Sequence, residues 1–346
     1  MANQCRQLAA LLTSESITVQ VIRTNAPYRP AWIGKVKLLR APARLLPYVL
    51  ALWSGIGRVD VVHLFANSGW AWHLFAAPAI LISRIRRRPI IVNYRGGGAA
   101  EFMEHAPGWV ARTLKSVDSL VVPSGFLHSV FGRFGISARI IPNIIDLQRF
   151  HPASEPRGAR APHIVVTRNL EGVYDVATAI RALSLLREHL PAARLTIAGT
   201  GPELPSLQQL VAALNLGEAV RFAGRMDNAA VADLYRSADA MLNPSLVDNM
   251  PISVLEAFAS AIPVVSTNVG GVPFIAQDGR NALLVPPGSP QECARALSQV
   301  LTDSALAARL TRAALEDAAA CSWARVSGMW LSEYRRVRSQ AAQARA

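Results

Sequence analysis

The stretch that decides the fold is NPSLVDNMPISVLEAFASAIPVVSTNVGG, residues Asn243–Gly271. A strand that ends at Asn243 is followed by a polar loop, and Pro251 suits the first position of the next helix. Because such a helix starts at the carboxyl end of parallel strands, its N-terminal N–H groups form an anion site. Asp248 in the loop and Glu256 in the helix can then hold one extended polar ligand at two points, with its phosphates between them. The alternative is that Asp248 caps the helix and Glu256 is solvated.

Outside this stretch, short β-branched runs alternate with helical patterns along the chain. Strands that alternate with helices indicate parallel sheets covered by helices on both faces, which is the α/β class. A chain of 346 residues has room for about two such domains. We predict doubly wound parallel-sheet domains over 1–150 and 151–321, a linker within His151–Pro162, and a last helix within 322–346. The predicted strands are Ile17–Ile22, Val59–Leu64, Pro89–Asn93, Ser119–Val122, Ala138–Ile141, His163–Thr167, Arg194–Ala198, Val220–Ala223, Ala240–Asn243, Pro263–Thr267 and Ala282–Val285. The predicted helices include Asn3–Leu12, Val176–His189, Leu204–Leu214, Ala229–Arg236, Pro251–Ser260 and Ser322–Arg338.

The composition excludes several classes of protein. With 51% hydrophobic and 17% charged residues, the chain is neither disordered nor fibrous. No apolar run reaches the roughly 18 residues of a membrane-spanning helix. The cysteines Cys5, Cys293 and Cys321 show no metal or redox spacing, and no export signal is visible. We therefore expect free thiols in a cytoplasmic protein.

Basic charge is concentrated in the first half of the chain. Residues 1–150 carry 18 basic and 6 acidic side chains, net +12, whereas residues 151–346 carry 18 and 17, net +1. The segment Trp32–Trp53 mixes Lys35, Lys37, Arg40 and Arg44 with leucines and tryptophans, and Arg84 and Arg86–Arg88 follow. This pattern favours contact with an anionic membrane surface. The alternative is a core helix with solvated charges; nucleic acid is not expected, because no binding module is recognisable.

The deciding stretch resembles the acidic signature of retaining GT-B glycosyltransferases, the group 1 type, in which seven residues separate two carboxylates. The resemblance implies two Rossmann-like domains facing a cleft and a sugar transfer that retains configuration and needs neither metal nor cofactor. It further implies a nucleotide-sugar donor of UDP or GDP type and a glycan or lipid-linked acceptor, in cell-surface polysaccharide synthesis. Matching motifs outside the stretch are AGTGPEL at Ala198–Leu204, RFAGR at Arg221–Arg225, PNIIDLQRF at Pro142–Phe150, and Trp323–Tyr334.

The resemblance also implies roles for single residues. Glu256 would hold the ribose hydroxyls of the nucleotide, and Asp248 would lie by the donor sugar. Arg168 would neutralise the diphosphate, because a guanidinium suits bidentate phosphate contact. The remaining residues implied on the donor side are Asn249, Met250, Gly199, Gly201 and Arg225.

The sequence departs from the family pattern at three places. Position 248 is Asp where Glu is more frequent. No basic residue follows Arg168 about five positions later, in NLEGVYD, so half of the diphosphate clamp is missing unless Arg95 or Arg225 replaces it. The family also begins with a strand and a Gly-Gly turn, whereas MANQCRQLAALL resembles the helix that follows them. We therefore predict that the first strand of the N-terminal domain is missing.

The acceptor or phosphate side of the N-terminal domain is predicted from weaker signals. Arg95, Gly96 and Gly97 follow a predicted strand, and glycines there let the backbone approach a ligand; an ordinary strand-to-helix turn is the alternative. His63 is predicted to end a strand, where it would line the cleft or be structural. No histidine pair has metal spacing.

Two other functions stay open at this point. One is a catalytically impaired nucleotide-sugar-binding relative or partner subunit, which the missing basic residue favours. The other is a nucleotide-sugar isomerase on the same scaffold.

Overall fold

A computed structural model describes residues 2–24, 32, 36–154 and 161–343. The chain forms two α/β units, which we call unit 1 (Met1–Pro142 with Val326–Ala346) and unit 2 (Asn143–Arg325). The division falls before the predicted boundary at 150/151 because residues 143–150 pack within unit 2. The backbone N–H of Ile145 donates to the carbonyl of Cys321 at 2.9 Å, and the ring of Phe150 lies edge-on to Tyr235. Residues 155–160 of the predicted linker lie outside the described residues.

Unit 2 contains a parallel sheet that runs in two directions from its middle. Its described strands follow the order β10-β9-β8-β5-β6-β7, so the chain order reverses between β5 and β8. Ligands of such sheets bind at the carboxyl ends of the strands at this switch point. The strands are β5 His163–Val166, β6 Arg194–Ala198, β7 Val220–Gly224, β8 Ala240–Asn243, β9 Val264–Thr267 and β10 Leu283–Val285.

Helices cover both faces of this sheet. On one face, α7, α8 and α11 bury a cluster that includes Ile164, Ile180 and Leu297; on the other, α9, α10 and α12 bury Met241, Phe258 and Ala314. Aspartate or serine caps several of these helices, as where Asp175 accepts from the backbone N–H of Thr178. The helices are α7 Val176–Leu186, α8 Leu204–Ala213, α9 Asn228–Arg236, α10 Ile252–Ala259, α11 Pro290–Thr302 and α12 Ser304–Ala320.

Unit 1 contains a parallel sheet whose described strands pair in the order β1-β2-β3-β4. The strands are β1 Val62–Ala66, β2 Ile90–Tyr94, β3 Ser119–Val122 and β4 Arg139–Ile140. A π-helical turn, Trp72–Ala76, leads into α3. The helices are α1 Ala2–Ser14, α2 Lys37–Ile56, α3 Ala77–Ile85, α4 Ala99–His105, α5 Gly108–Lys115, α6 Gly125–Arg133 and α13 Trp323–Gln343, of which α13 belongs to unit 1 from Val326 onward.

One predicted strand of unit 1 is wrong. The segment Ile17–Ile22 forms no strand, because its β-branched residues find no pairing partner among the described residues. The basic and apolar segment predicted to contact a membrane forms α2 in its second part, and this helix continues through Pro42 and Pro47. Lys35 lies outside the described residues, as do the side chains of Lys37 and Arg40. No described helix is both long and apolar enough to span a membrane.

Candidate functional site

Arg168 lies at the switch point of unit 2, two residues beyond the end of β5. Its Nε–H donates to Oδ1 of Asn243, the last residue of the neighbouring strand β8, at 2.8 Å. A second guanidinium N–H donates to a carboxylate oxygen of Asp248. The guanidinium also lies over the ring of Tyr174, 5.2 Å from its centroid. The side chains of Arg168 and Asp248 are only 12% and 11% exposed, so the ion pair is largely shielded from solvent.

The loop that carries Asp248 is fixed by its own backbone and by the turn after β9. Asp248 Oδ1 accepts from the backbone N–H of Asn249 at 2.8 Å, and the Asp248 carbonyl accepts from the N–H of Gly271 at 3.0 Å. A Cβ on Gly271 would stand 1.6 Å from the Asn249 carbonyl oxygen. Met250 is buried, and its carbonyl accepts from the Asn143 side chain at 3.2 Å. The close fit therefore fixes the loop directly before α10.

Glu256 lies one turn into α10, in electrostatic contact with Arg168. Burial raises the pKa of Glu256 to about 7, although the Arg168 guanidinium and the neighbouring Tyr235 hydroxyl act to lower it. The Tyr235 hydroxyl is completely buried; it contacts Thr167 Oγ1 at 2.6 Å and donates to the Ser253 carbonyl at 3.1 Å. The structure thus brings three sequence-predicted residues together at one place, Arg168, Asp248 and Glu256.

Sequence analysis missed three residues of this site: Tyr235, Asn243 and Ser253. Ser253 is the second residue of α10, and its buried hydroxyl has no hydrogen-bond partner among the described residues. Its place in the first turn after Pro251 was the signal that could have identified it, because an anion site needs donors there. Tyr235 and Asn243 gave no such signal, since both lie in patterns that read as ordinary core.

The glycine loop after β6 packs closely against the segment that follows β5. A Cβ on Gly199 would stand 1.9 Å from the Arg168 carbonyl oxygen, and one on Gly201 would stand 2.2 Å from that of Leu170. The two glycines therefore let this loop lie against the segment that presents Arg168. Arg225 is exposed directly after β7. In the sheet, β7 lies two strands from β5, so at about 4.8 Å per strand the two strands are roughly 10 Å apart.

The missing second basic residue corresponds to Val173. This residue is five positions after Arg168, in a short 3₁₀ turn, and 47% of it is exposed. Its carbonyl accepts from the backbone N–H of Leu246, which joins the turn to the Asp248 loop at 2.8 Å. An exposed apolar side chain thus stands in this turn, where the family pattern has a basic residue.

In unit 1, Arg95 is tied down by its neighbours. Its Nε–H donates to Asn93 Oδ1 at 3.1 Å, a further N–H reaches Gln4 Oε1 at 3.4 Å, and the guanidinium lies 5.2 Å from the centroid of Phe65. Burial lowers the pKa of Arg95 to about 10. These contacts stabilise the fold of unit 1. They leave a ligand role for Arg95 as a prediction.

The prediction that His63 ends a strand is wrong, since it is the second residue of β1. Its Nε2 accepts from the Asn93 amide at 3.1 Å, so the proton is on Nδ1, which donates to the Tyr334 hydroxyl at 2.6 Å. The ring also stacks on Phe65 and makes a tilted contact with the ring of Trp330. Burial lowers the pKa of His63 to about 3, which keeps the ring neutral. Both ring nitrogens are thus bonded to residues of unit 1, and a role of His63 on the acceptor side stays a prediction.

The two glycines after Arg95 differ. A Cβ on Gly96 would stand 2.5 Å from the side-chain oxygens of Asn67 and Ser68, so Gly96 is required by loop packing. A Cβ on Gly97 would meet nothing within 4 Å. Approach of a ligand to Gly97 stays a prediction.

Comparison with known proteins relates both halves of the chain to sugar transfer. Residues 148–317 match the family described as Glycosyl transferases group 1, and residues 1–149 match Glycosyltransferase Family 4. A glycogen synthase of Mycobacterium tuberculosis is 31% identical over 270 residues, which is 74% of this chain and 64% of that protein. A D-inositol 3-phosphate glycosyltransferase of Streptomyces avermitilis is 30% identical over 319 residues, 82% of this chain and 67% of that protein.

Solved structures agree in fold. Sucrose-phosphate synthase from Thermosynechococcus elongatus superimposes with a TM-score of 0.72 at 20% identity, covering 87% of this chain and 80% of that one. Anabaena HepE in complex with UDP and glucose gives 0.70 at 19% identity, covering 97% and 88%. The two parallel-sheet units are thus Rossmann-like domains of the GT-B type. The family match over residues 148–317 and the sequence relatives show that this chain belongs to the group 1 family of glycosyltransferases.

Proposed function

We propose that unit 2 binds a nucleoside diphosphate sugar at the carboxyl ends of β5 and β8. The observation that carries this proposal is the position of Arg168, which is held by Asn243 and Asp248 and lies close to Glu256. A guanidinium has five N–H donors, and two are used in these contacts. The other three are available to phosphate oxygens without breaking the ion pair.

The same geometry supports transfer without a metal. As the donor sugar becomes oxocarbenium-like, the bond between its anomeric carbon and the phosphate oxygen breaks, and negative charge develops on the diphosphate. Fixed positive charge aimed at those oxygens lowers the barrier. Arg168 and the N–H groups at the start of α10 provide that charge, and the buried Ser253 hydroxyl adds a donor in the same turn.

The two carboxylates then have separate tasks. Asp248, at the loop before α10, lies by the sugar, and transfer proceeds with retention of configuration. Glu256, one turn further, accepts hydrogen bonds from the ribose hydroxyls. Asn249 and Met250 line the loop beside the sugar, while Gly199, Gly201 and Arg225 belong to the base side.

The donor is of UDP or GDP type, and the acceptor is a glycan or a lipid-linked sugar in cell-surface polysaccharide synthesis. The UDP and glucose bound by Anabaena HepE support a nucleotide-sugar donor. The net charge of +12 in residues 1–150 supports an anionic acceptor surface. We place the enzyme peripherally at the inner face of the membrane, with no nucleic acid as partner.

The proposal is tested by titrating UDP and GDP into the full chain and its variants. Glu256→Ala and Arg168→Ala should each weaken binding by roughly tenfold or more, the size of a lost charge-assisted contact. Arg168→Lys tests whether charge without the planar fork suffices, and it leaves Asp248 paired if Arg168→Ala unfolds. Arg181→Gln, on the exposed side of α7, is the matched control. Unchanged affinity in both site variants overturns the assignment.

Turnover assays distinguish the transferase from a non-catalytic relative and from an isomerase. Sugar release or transfer from UDP- and GDP-sugars, with the anomer of the product determined, should show retention and persist in a metal chelator. Tight nucleotide binding without turnover would indicate a non-catalytic relative. Conversion of the donor without any acceptor, to an isomeric nucleotide sugar, would indicate an isomerase.

A further inference from the structure

Helices α2 and α3 of unit 1 pack together and turn apolar side chains toward solvent. Their inner faces bury Tyr48, Leu52 and Ile56 against Ala79 and Ile82. Their outer faces carry large apolar residues at helical spacing, three on α2 and two on α3, with exposed fractions from 46% to 65%. We call these five residues the α2–α3 surface: Leu46, Leu50, Trp53, Leu81 and Ile85.

Four arginines border the α2–α3 surface at the end of α3. The guanidinium of Arg86 lies over the ring of Trp53, 5.1 Å from its centroid, and so joins the two helices. Arg84 donates to Ser116 Oγ at 3.2 Å, and Arg88 donates to the Gly57 carbonyl at 2.8 Å. Both partners are neutral. In the described part of the chain, no carboxylate pairs with these two arginines, with Arg86 or with Arg87.

We propose that the α2–α3 surface docks on an anionic lipid bilayer, with its leucines and isoleucine in the acyl boundary and the arginines on lipid phosphates. This inference rests on the proposed membrane setting and assigns it to particular residues. Trp53 stands between the apolar residues and the charges, which is where tryptophan is enriched in interfacial proteins. Each arginine near an anionic surface raises affinity about fivefold.

The four arginines beside the α2–α3 surface favour an anionic bilayer, rather than a second copy of this chain, as its binding partner. A symmetric dimer through the α2–α3 surface would bring two sets of four unpaired arginines together, and like charges repel at an interface. An anionic bilayer neutralises them instead. Single exposed apolar residues need no explanation, but five on two adjoining helices beside unpaired cations do.

Co-sedimentation of the full chain with vesicles tests the proposal. The protein should bind vesicles that contain phosphatidylglycerol and should not bind pure phosphatidylcholine. Raising salt from about 0.1 M to about 1 M shortens the Debye length from about 10 Å to about 3 Å and should release most of the protein. The triple variant Leu46→Gln, Leu50→Gln, Leu81→Gln should lose binding at least tenfold, and Arg84→Gln with Arg87→Gln should lose it roughly tenfold or more.

The control variants remove the same number of charges, or one exposed apolar side chain, elsewhere on the protein. Arg181→Gln with Arg312→Gln, on exposed faces of α7 and α12, and Met329→Gln, on α13, should bind vesicles like the wild type. Site variants that bind normally overturn the proposal. So does a wild-type dimer that the triple variant converts to a monomer without any lipid dependence, since the surface would then join two copies. UDP and GDP titration of the same variants should be unchanged, which separates failure of this inference from failure of the donor site.

Discussion

At the scale of single residues, the proposed donor site depends on one guanidinium. Arg168 donates hydrogen bonds to Asn243 and Asp248 and still has N–H groups that can bind a diphosphate. The turn that follows it contains no second basic residue. Val173 occupies that position and is nearly half exposed. A lysine there would extend from the turn that packs Tyr174 against Arg168, toward the diphosphate of the proposed site. In that proposal, half of the diphosphate clamp is unfilled.

We expect Val173→Lys to tighten binding of UDP or GDP by roughly fivefold. A partly solvated charge contact contributes up to about 1 kcal/mol, which corresponds to that factor. Isothermal titration at low and at high salt measures the effect, which should shrink as salt screens it. Val173→Gln, which adds a polar side chain of similar reach without charge, should bind like the wild type. Equal affinity of the lysine variant and the wild type would show that the diphosphate does not lie beside this turn.

Glu256 predicts a pH dependence of nucleotide binding. Its pKa is raised to about 7 in the free protein, so the carboxyl is largely protonated below that pH. The ionised form accepts hydrogen bonds from both ribose hydroxyls, whereas the protonated form has lost part of that capacity. Affinity for a nucleotide sugar should therefore rise as pH increases from about 6 to 8, with proton release on binding. Glu256→Gln should flatten the profile, and a profile that the glutamine variant retains would assign the titration to another group.

At the scale of elements, the turn after β9 positions the loop before α10. Gly270 has a φ of 51°, and a Cβ on it would stand 2.2 Å from the Asp248 carbonyl oxygen. Gly271 is closer still to Asn249. The backbone of the turn after β9 thus packs directly against the backbone of the loop before α10. The position of the Asp248 carboxylate therefore depends on this turn as well as on its own loop.

We expect Gly271→Ala to displace the loop and to weaken nucleotide binding by tenfold or more, because the added methyl group collides with a carbonyl. The cost of such overpacking is typically about 1–3 kcal/mol. Titration of UDP together with thermal unfolding measures both effects. Gly217→Ala, in the loop before β7, adds the same methyl group in open space and should change neither. A Gly271→Ala protein that binds normally would mean that the loop tolerates movement and that its observed position is not needed.

Local pattern predicted the elements well where their pairing partners are present in the sheet. The strands Arg194–Ala198 and Ala240–Asn243 have the predicted bounds, because each is a short, mainly apolar run that lies between neighbouring strands on both sides. Ile17–Ile22 has a similar composition but no partner in the described residues, and pairing is not encoded in its own pattern. In the candidate site, Arg168 and Asp248 could be predicted from the sequence, because each is a charged residue in a loop that follows a predicted strand. Tyr235 did not, because a tyrosine on the apolar face of α9 reads as core until its hydroxyl is seen beside Glu256.

At the scale of the whole molecule, one buried group in each unit makes stability depend on pH, and the two groups act in opposite directions. In unit 1, folding lowers the pKa of His63 from 6.5 to about 3. Between these two pH values the ring is protonated in the unfolded chain and neutral in the folded chain. Its contribution to stability is present above 6.5 and is lost as pH falls toward 3. In unit 2, folding raises the pKa of Glu256 from 4.5 to about 7, so its effect is most favourable below 4.5 and is lost as pH rises through 7.

Acid should therefore destabilise unit 1 first, by up to about 1.4 kcal/mol per pH unit below 6.5 from His63 alone. Tryptophan fluorescence reports on this unit, because the fully buried Trp72 and Trp330 both lie in it. His63→Gln keeps an acceptor for Asn93 and a donor toward Tyr334 but cannot be protonated. Its midpoint of acid unfolding by fluorescence should lie at lower pH than that of the wild type. An unchanged midpoint would show that His63 does not set the acid limit of unit 1 and that its ring takes up a proton without cost in the folded state.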